Sequence, residues 1–331
     1  MQTFNISPGI TDPKQKVEEI RKQLEQGIHD LFNSDKFKDF LISMSKFRTY
    51  SINNQVLIFM QKKDAELVAS YTDWNKNFDR KIIKGSKAIK IFAPIMKKIK
   101  DITDLSKIDP QGLKDPEELV LVGFKAVNVF DISQTEGKPL PELSHNLTDN
   151  VKNFDQAKKA LISISPLPVY FEEISGHANG YCSAEKIVIK NDLSQSQMLK
   201  TMVHEISHSM LHFTEGKTLE RSRKEVEAES IAFIVCNYFG LDTSDYSFGY
   251  VAGWSKDKEL SQLKASISVI RDTANKIISS VEKELVIEDK SKNRGLPSLA
   301  EKIQQAKDRK QDKIKEKEDI PSIKKENNIE I

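Results

Sequence analysis

Cysteine is scarce in this chain. Among 331 residues only Cys182 and Cys236 occur, too few for a disulfide framework, which predicts a reducing compartment, the cytoplasm. Long apolar runs are missing as well. Stretches such as Val56 to Met60 fall far short of the roughly 20 residues that a membrane span needs, so no membrane partner is expected. The first thirty residues hold no apolar signal core. Aromatics reach only 8%, against 30% charged and 38% apolar residues. That composition suits one large or two modest globular domains with room for a solvated tail. There is no bulk excess of one charge, the formal net charge being +2. Any electrostatic function must therefore rest on local clustering.

The pattern along the chain reads as α+β in two domains. Residues 12 to 33 predict a helix: Asp12 caps, Pro13 fits the first turn, and Val17, Ile20, Leu24, Ile28 and Leu31 recur at helical spacing. Shorter helical patterns follow at Phe37 to Ser45 and Ile52 to Gln61. Ala88 to Ile95 and Phe124 to Ile132 alternate like strands, with a charged loop from Lys97 to Glu118 between them. The first domain is thus set at 1–135. Gly137, Pro139 and Pro141 mark a linker at 136–150. A second domain, 151–288, begins with a helix at Phe154 to Ile162 and strands at Val169 to Ile174 and Tyr181 to Ile189. Helices at Gln195 to Phe213 and Arg223 to Phe239 follow, Gly240 standing where a C-cap belongs. A longer helix starts at Leu260 and continues through Ile270 toward Ile277 and Val281. From Asp289 to the end, charge dominates and a disordered tail is expected.

His204-Glu205-Ile206-Ser207-His208 is an HExxH motif on a predicted helix. Chance supplies it in roughly one chain of this size in a hundred. Residues four apart share a helix face, so both imidazoles can bind one Zn2+, with Mn2+ or Co2+ as alternatives. Glu205 is placed as general base toward a water on that ion. A catalytic zinc takes a third protein ligand. His212 shares the face but lies a full turn further along the helix, too far to close a compact site. The next helix offers Glu225, Glu227 and Glu229. Glu225 and Glu229 share a face with Ala228, Ala232 and Cys236, whose small size permits close approach, whereas Glu227 points about 160° away. Glu225 is the expected ligand and Glu229 the expected acceptor behind a ligating His, with Glu229 and Glu227 kept as alternative ligands. The strand before the motif could serve as an edge for an extended peptide or be a plain hairpin strand of the core. Tyr246, Tyr250, His177 and His212 are candidate oxyanion donors.

A second signal lies between Lys76 and Lys100, where lysine is dense and Asp79 is the only acid. Arg80, Lys81, Lys84, Lys87 and Lys90 are interleaved with Trp74, Phe78 and Phe92. Cations tracking phosphates beside rings that stack on bases suit single-stranded DNA. The alternative is ordinary: a lysine-rich sheet edge over a core holding Trp74 and Phe78.

Several stretches together carry a resemblance. They are Tyr50-Ser51-Ile52-Asn53-Asn54-Gln55, the spacing of Tyr71 and Trp74, Lys84-Gly85-Ser86-Lys87-Ala88-Ile89, and Val129 to Gly137. With His204 to His208 and Glu225-x-x-Ala228-Glu229, they make the chain similar to the ArdC-type antirestriction proteins, including LtrC-like members, over roughly residues 12 to 280. The resemblance implies a single-stranded-DNA-binding first domain and a zincin-like metallopeptidase second domain. It also implies a setting: a conjugative element, such as a plasmid, whose product protects transferred DNA from restriction. Three rival expectations remain: a regulatory zinc metalloprotease that cleaves a specific protein partner, a DNA-binding shield with a non-catalytic metal domain, and a metal-dependent nuclease, which HExxH with a Glu ligand suits less well than amide hydrolysis.

Overall fold

The computed structural model describes residue 4 and residues 10–32, 36–99, 119–140, 154–212, 220–241, 243, 246, 248, 251–256 and 258–292. Most of the expected insert and linker, and the expected tail beyond 292, lie outside these residues. The order begins with α1 (Pro13–Phe32), α2 (Phe37–Lys46) and α3 (Ile52–Gln61), then β1 (Val68–Ser70) and α4 (Tyr71–Lys76). β2 (Arg80–Ile82), β3 (Ile89–Lys98), β4 (Leu119–Asp131) and β5 (Thr135–Gly137) complete the first half. Asp12 caps α1 by accepting from the Gln15 amide at 2.8 Å. Ser51 and Ser70 cap α3 and α4 in the same way.

β1, β4 and β3 form an antiparallel sheet in that order, which leaves β3 at an edge. Helix α3 covers that edge with two side-chain amides set two turns apart. Asn54 donates to the Phe92 carbonyl and accepts from the Phe92 amide, both at 2.9 Å. Gln61 does the same for Lys90 at 2.8 Å. Each amide thus imitates a neighbouring strand, and the edge is closed to further pairing over this stretch. At the end of β4, buried Asp131 accepts from the amides of Glu66 and Leu67 at 2.8 and 3.1 Å. Gln134 accepts from the Asp131 amide and donates to the Lys87 carbonyl. The polar residues of the Asn54 and Asp131 motifs are therefore scaffold: they satisfy backbone groups that the sheet leaves open.

The second half continues with α5 (Phe154–Ile164), β6 (Val169–Glu172), β7 (Gly180–Cys182) and β8 (Ile187–Lys190). Helices α6 (Gln195–Leu211), α7 (Arg221–Tyr238), α8 (Val251–Ser255) and α9 (Leu260–Lys292) follow. β8 lies between β6, to which it is parallel, and β7, to which it is antiparallel. The continuous strand expected from Tyr181 to Ile189 is a hairpin. Ser183 breaks it: its Oγ accepts from the Glu185 and Lys186 amides at 3.3 and 3.1 Å and holds the turn.

One apolar core runs through both halves of the chain. It joins Leu24, Phe40 and Leu57 to Ile206, Phe233 and Ile270. Helix α2 packs on α7, and α1 and α3 pack on α9. Along α7, Ala228, Ala232 and Cys236 are fully buried, and α6 packs alongside. No helix among the described residues is long and apolar enough to cross a membrane.

Candidate metal centre

Ser194 starts α6 by accepting from the Gln197 amide, and the helix then carries His204, Glu205 and His208 on its inner side. His204 Nε2 and His208 Nε2 lie 3.1 Å apart. From α7, Glu225 Oε2 reaches to 3.7 Å from the first and 3.6 Å from the second. Bonds of about 2.0–2.1 Å to a tetrahedral divalent ion put its ligand atoms about 3.4 Å apart. The triangle of two imidazole nitrogens and one carboxylate oxygen fits that requirement, and among the described residues these three form a compact ligand set. Glu229, one turn along α7, sits behind the first histidine, its Oε2 3.2 Å from His204 Nδ1.

Glu227 stays out of the triangle and meets the C-terminal end of α6 instead. Its Oε2 lies 3.3 Å from His212 Nε2, and Arg223 Nε and Ser266 Oγ donate to its Oε1 at 2.7 and 2.9 Å. His212 Nδ1 in turn lies 2.9 Å from His208 Nδ1. His212 is thus in contact with a motif histidine but is not among the three converging atoms. Sequence reasoning set His212 aside as a ligand and missed its place behind His208. The available signals were the repeated four-residue spacing of His204, His208 and His212 and the odd face of Glu227.

Glu205 is 9% exposed and borders a cavity of about 230 Å³ with His204, Gly180, Lys200, Thr201 and Tyr246. Gly180 is what allows β7 to pass this close to α6: a Cβ there would lie 2.7 Å from Thr201 Cγ2 and 3.0 Å from the Val188 carbonyl oxygen. β7 is also an outer strand of its sheet. Of the candidate oxyanion donors, Tyr246 lines the cavity, but its hydroxyl donates to Cys236 Sγ at 3.8 Å. His212 is buried against Glu227, His177 is exposed in the connection between β6 and β7, and Tyr250 lies outside the described residues.

The electrostatics divide the four central groups. Burial raises the Glu205 carboxyl above its ordinary pKa, with the Glu225 charge adding and His204 opposing. The hydrogen bond with His208 holds Glu225 below its ordinary value. Burial lowers His208. Burial also opposes charge on His204, but Glu229, Glu205 and Glu225 outweigh it and carry that imidazole above its usual value.

The basic strip is dispersed by comparison. Trp74 is fully buried, donates Nε1–H to the Phe130 carbonyl at 2.8 Å, and packs on Phe78 with ring centroids 4.9 Å apart. Neither the buried indole nor the ring it packs on is the open stacking platform that was expected. Arg80 donates to Thr135 Oγ1 at 2.8 Å, to the Thr135 carbonyl at 3.0 Å and to the Lys138 carbonyl, so it clamps β2 to β5. Phe92 packs against the core, and Lys90 donates to Asn128 Oδ1 at 3.1 Å. The face expected to pair Lys90 with Phe92 is therefore occupied. Lys81, Lys84 and Lys87 do lie exposed, and Tyr71, at 62% exposure, is an accessible ring on α4.

A protein of Bacillus anthracis described only as uncharacterized is 27% identical over 319 residues, spanning 85% of this chain and 54% of its own length. The chain thus covers about half of that relative. Crystal structures titled as the antirestriction ArdC protein from plasmid R388, metal-free and Mn(II)-bound, align at 17% identity. They cover 71% of this chain and 85% and 84% of theirs, with TM-scores of 0.44 and 0.45. Residues 13–130 match the family described as the N-terminal domain of anti-restriction factor ArdC, so the N-terminal part of the chain carries a domain of that family.

Proposed function

We propose that the chain joins a single-stranded-DNA-binding N-terminal unit to a divalent-metal peptidase centre and acts as a DNA-protection factor of a conjugative element. The observation that carries the peptidase reading is the meeting of His204, His208 and Glu225 at one point with Glu205 on the wall of the adjoining cavity. His204 and His208 would hold the ion through Nε2 and Glu225 through Oε2. The ion, zinc by the chemistry of this ligand set, would supply Lewis acidity toward a peptide carbonyl. Glu205 accepts the proton of the attacking water and returns it to the amide nitrogen as the C–N bond breaks. Burial raises its pKa, the direction that makes the carboxylate a better proton acceptor. The outer strand β7 offers an extended substrate backbone a partner beside Glu205. The ArdC-type N-terminal domain and the exposed Lys81, Lys84 and Lys87 support the DNA reading.

Glu205→Gln tests the first half. The variant is expected to keep its metal and to lose peptide hydrolysis by about 10²–10⁴-fold; full turnover would overturn the mechanism. A labelled single-stranded oligonucleotide against the matching duplex, titrated across salt, tests the second half. Single-strand preference with a steep salt slope is expected. Equal or absent binding would favour instead a regulatory protease acting on a protein partner.

A further inference from the structure

Glu227 is a buried carboxylate that neither the ligand triangle nor the cavity uses. Its side chain and that of His212 are 2% and 1% exposed, so water does not satisfy them and their protons must be placed by each other. The chain of contacts runs from Glu227 Oε2 to His212 Nε2 at 3.3 Å, then from His212 Nδ1 to His208 Nδ1 at 2.9 Å. Each link holds one proton, and a neutral imidazole carries one N–H and one lone pair. With both imidazoles neutral, only two arrangements are open: both protons directed toward Glu227, or both directed toward His208.

The far end of the chain decides between them. Arg223 Nε donates to Glu227 Oε1 at 2.7 Å and Ser266 Oγ donates to the same oxygen at 2.9 Å. An ionised carboxylate is acceptor-only, so Oε2 must receive N–H from His212 Nε2. His212 Nδ1 is then a lone pair and must receive N–H from His208 Nδ1. His208 Nε2 is left bare, facing His204 Nε2 at 3.1 Å and Glu225 Oε2 at 3.6 Å.

We infer that Glu227, acting through His212, fixes the tautomer of His208 and so makes it a ready metal ligand before any ion arrives. The inference rests on the reading of His204, His208 and Glu225 as the ligands. Glu229 performs the same service for His204 in a single step, at 3.2 Å. The two ligands differ in depth: His204 has a partly exposed carboxylate directly behind it, whereas His208 is reached only by a buried relay. Because Ser266 belongs to α9, the relay also ties His208 to the long helix on which α1 and α3 pack. Glu227 and His212 are positioning residues, and neither touches the ligand point.

Glu227→Gln is the decisive variant because the amide has a forced orientation. Its oxygen stays on Arg223, which only donates, and its nitrogen faces His212 Nε2. The amide then donates where the carboxylate accepted, both links reverse, and His208 ends with its proton on Nε2, where the ion should bind. Imidazole nitrogen NMR of isotopically labelled, metal-free protein at about pH 8 reads this directly, since neutral tautomers differ at both ring nitrogens. Expected are Nδ1–H on His208 in the parent and Nε2–H in the variant. In parallel, zinc affinity by competition with a chelator should fall about 10–100-fold in the variant. A wild-type His208 with its proton on Nε2, or a variant that keeps the parent tautomer and affinity, overturns the inference. A parent that takes up neither zinc nor manganese overturns the ligand reading instead, while the tautomer measurement still decides the relay. If Glu227→Gln fails to fold, the parent spectrum and Ser266→Ala, expected to weaken zinc less than Glu227→Gln, decide it.

Discussion

Around α6 and α7 the titratable side chains converge, whereas in the basic strip from α4 through β3 they diverge. Four charged or ionisable groups from two helices meet within 3.7 Å contacts at the first place. At the second, Trp74 turns inward, Arg80 clamps β5, Phe92 packs on the core and only Lys81, Lys84 and Lys87 of the expected set stay open to solvent. The difference lies in what fixes relative position. His204, Glu205 and His208 ride on one helix, so their spacing in sequence already is their geometry. The strip crosses a short helix, a short strand, a turn and an edge strand, each of which sends neighbouring residues in different directions. A motif on one element survives folding; a compositional cluster spread over four does not.

The largest expected effect would break or uphold that contrast. Trp74→Ala should destabilise the protein by about 3–5 kcal/mol in a denaturant melt, from the lost volume and the lost indole hydrogen bond to the Phe130 carbonyl. If stability were unchanged and single-strand binding lost, Trp74 would be a stacking residue after all and the contrast would fail. A smaller effect belongs to the lysines. Replacing Lys81, Lys84 and Lys87 together by Ala should move stability by no more than about 0.5 kcal/mol. The same variant should flatten the salt dependence of single-strand binding by about 0.7 log unit per phosphate contact removed. An unchanged slope would move the DNA face elsewhere on the N-terminal unit.

Legibility in the sequence followed the same division. The helices stood out from their caps and periodicity, and α9 extends as one helix well past Val281. The face arithmetic on α7 set Glu225 and Glu229 apart from Glu227; in the structure Glu225 lies beside His204 and His208 and Glu229 beside His204, whereas Glu227 meets His212 at the C-terminal end of α6. What stayed hidden was tertiary. No local pattern says that Asn54 and Gln61 cover an edge strand, since amide side chains on a helix look like any polar face. Nothing near Ser183 outweighs the alternation that reads as one strand until its hydroxyl is seen to hold a turn. The relay from His208 to Ser266 spans two further elements, so only packing could assemble it. Trp74 was ambiguous for a simpler reason: an indole suits a core and a base stack equally well.

The smallest effect sharpens the convergent side. Cys182 on β7 is half-buried, and burial together with the negative charge of Glu205 pushes its thiol up to about 12. The thiolate is the reactive species, so alkylation at neutral pH should be slow and should rise about tenfold per pH unit well into the alkaline range. Cys236 is fully buried and should stay silent in the folded protein, which leaves one reporter. Glu205→Gln removes the charge but not the burial. Because burial is the larger cause, the pKa should fall only in part, and alkylation at a fixed pH should quicken by less than about tenfold. The lysine variant of the basic strip should leave that rate alone. A thiol indifferent to Glu205 would mean that the carboxylate does not act across the cleft at β7, and the placement of the general base beside the outer strand would have to be withdrawn.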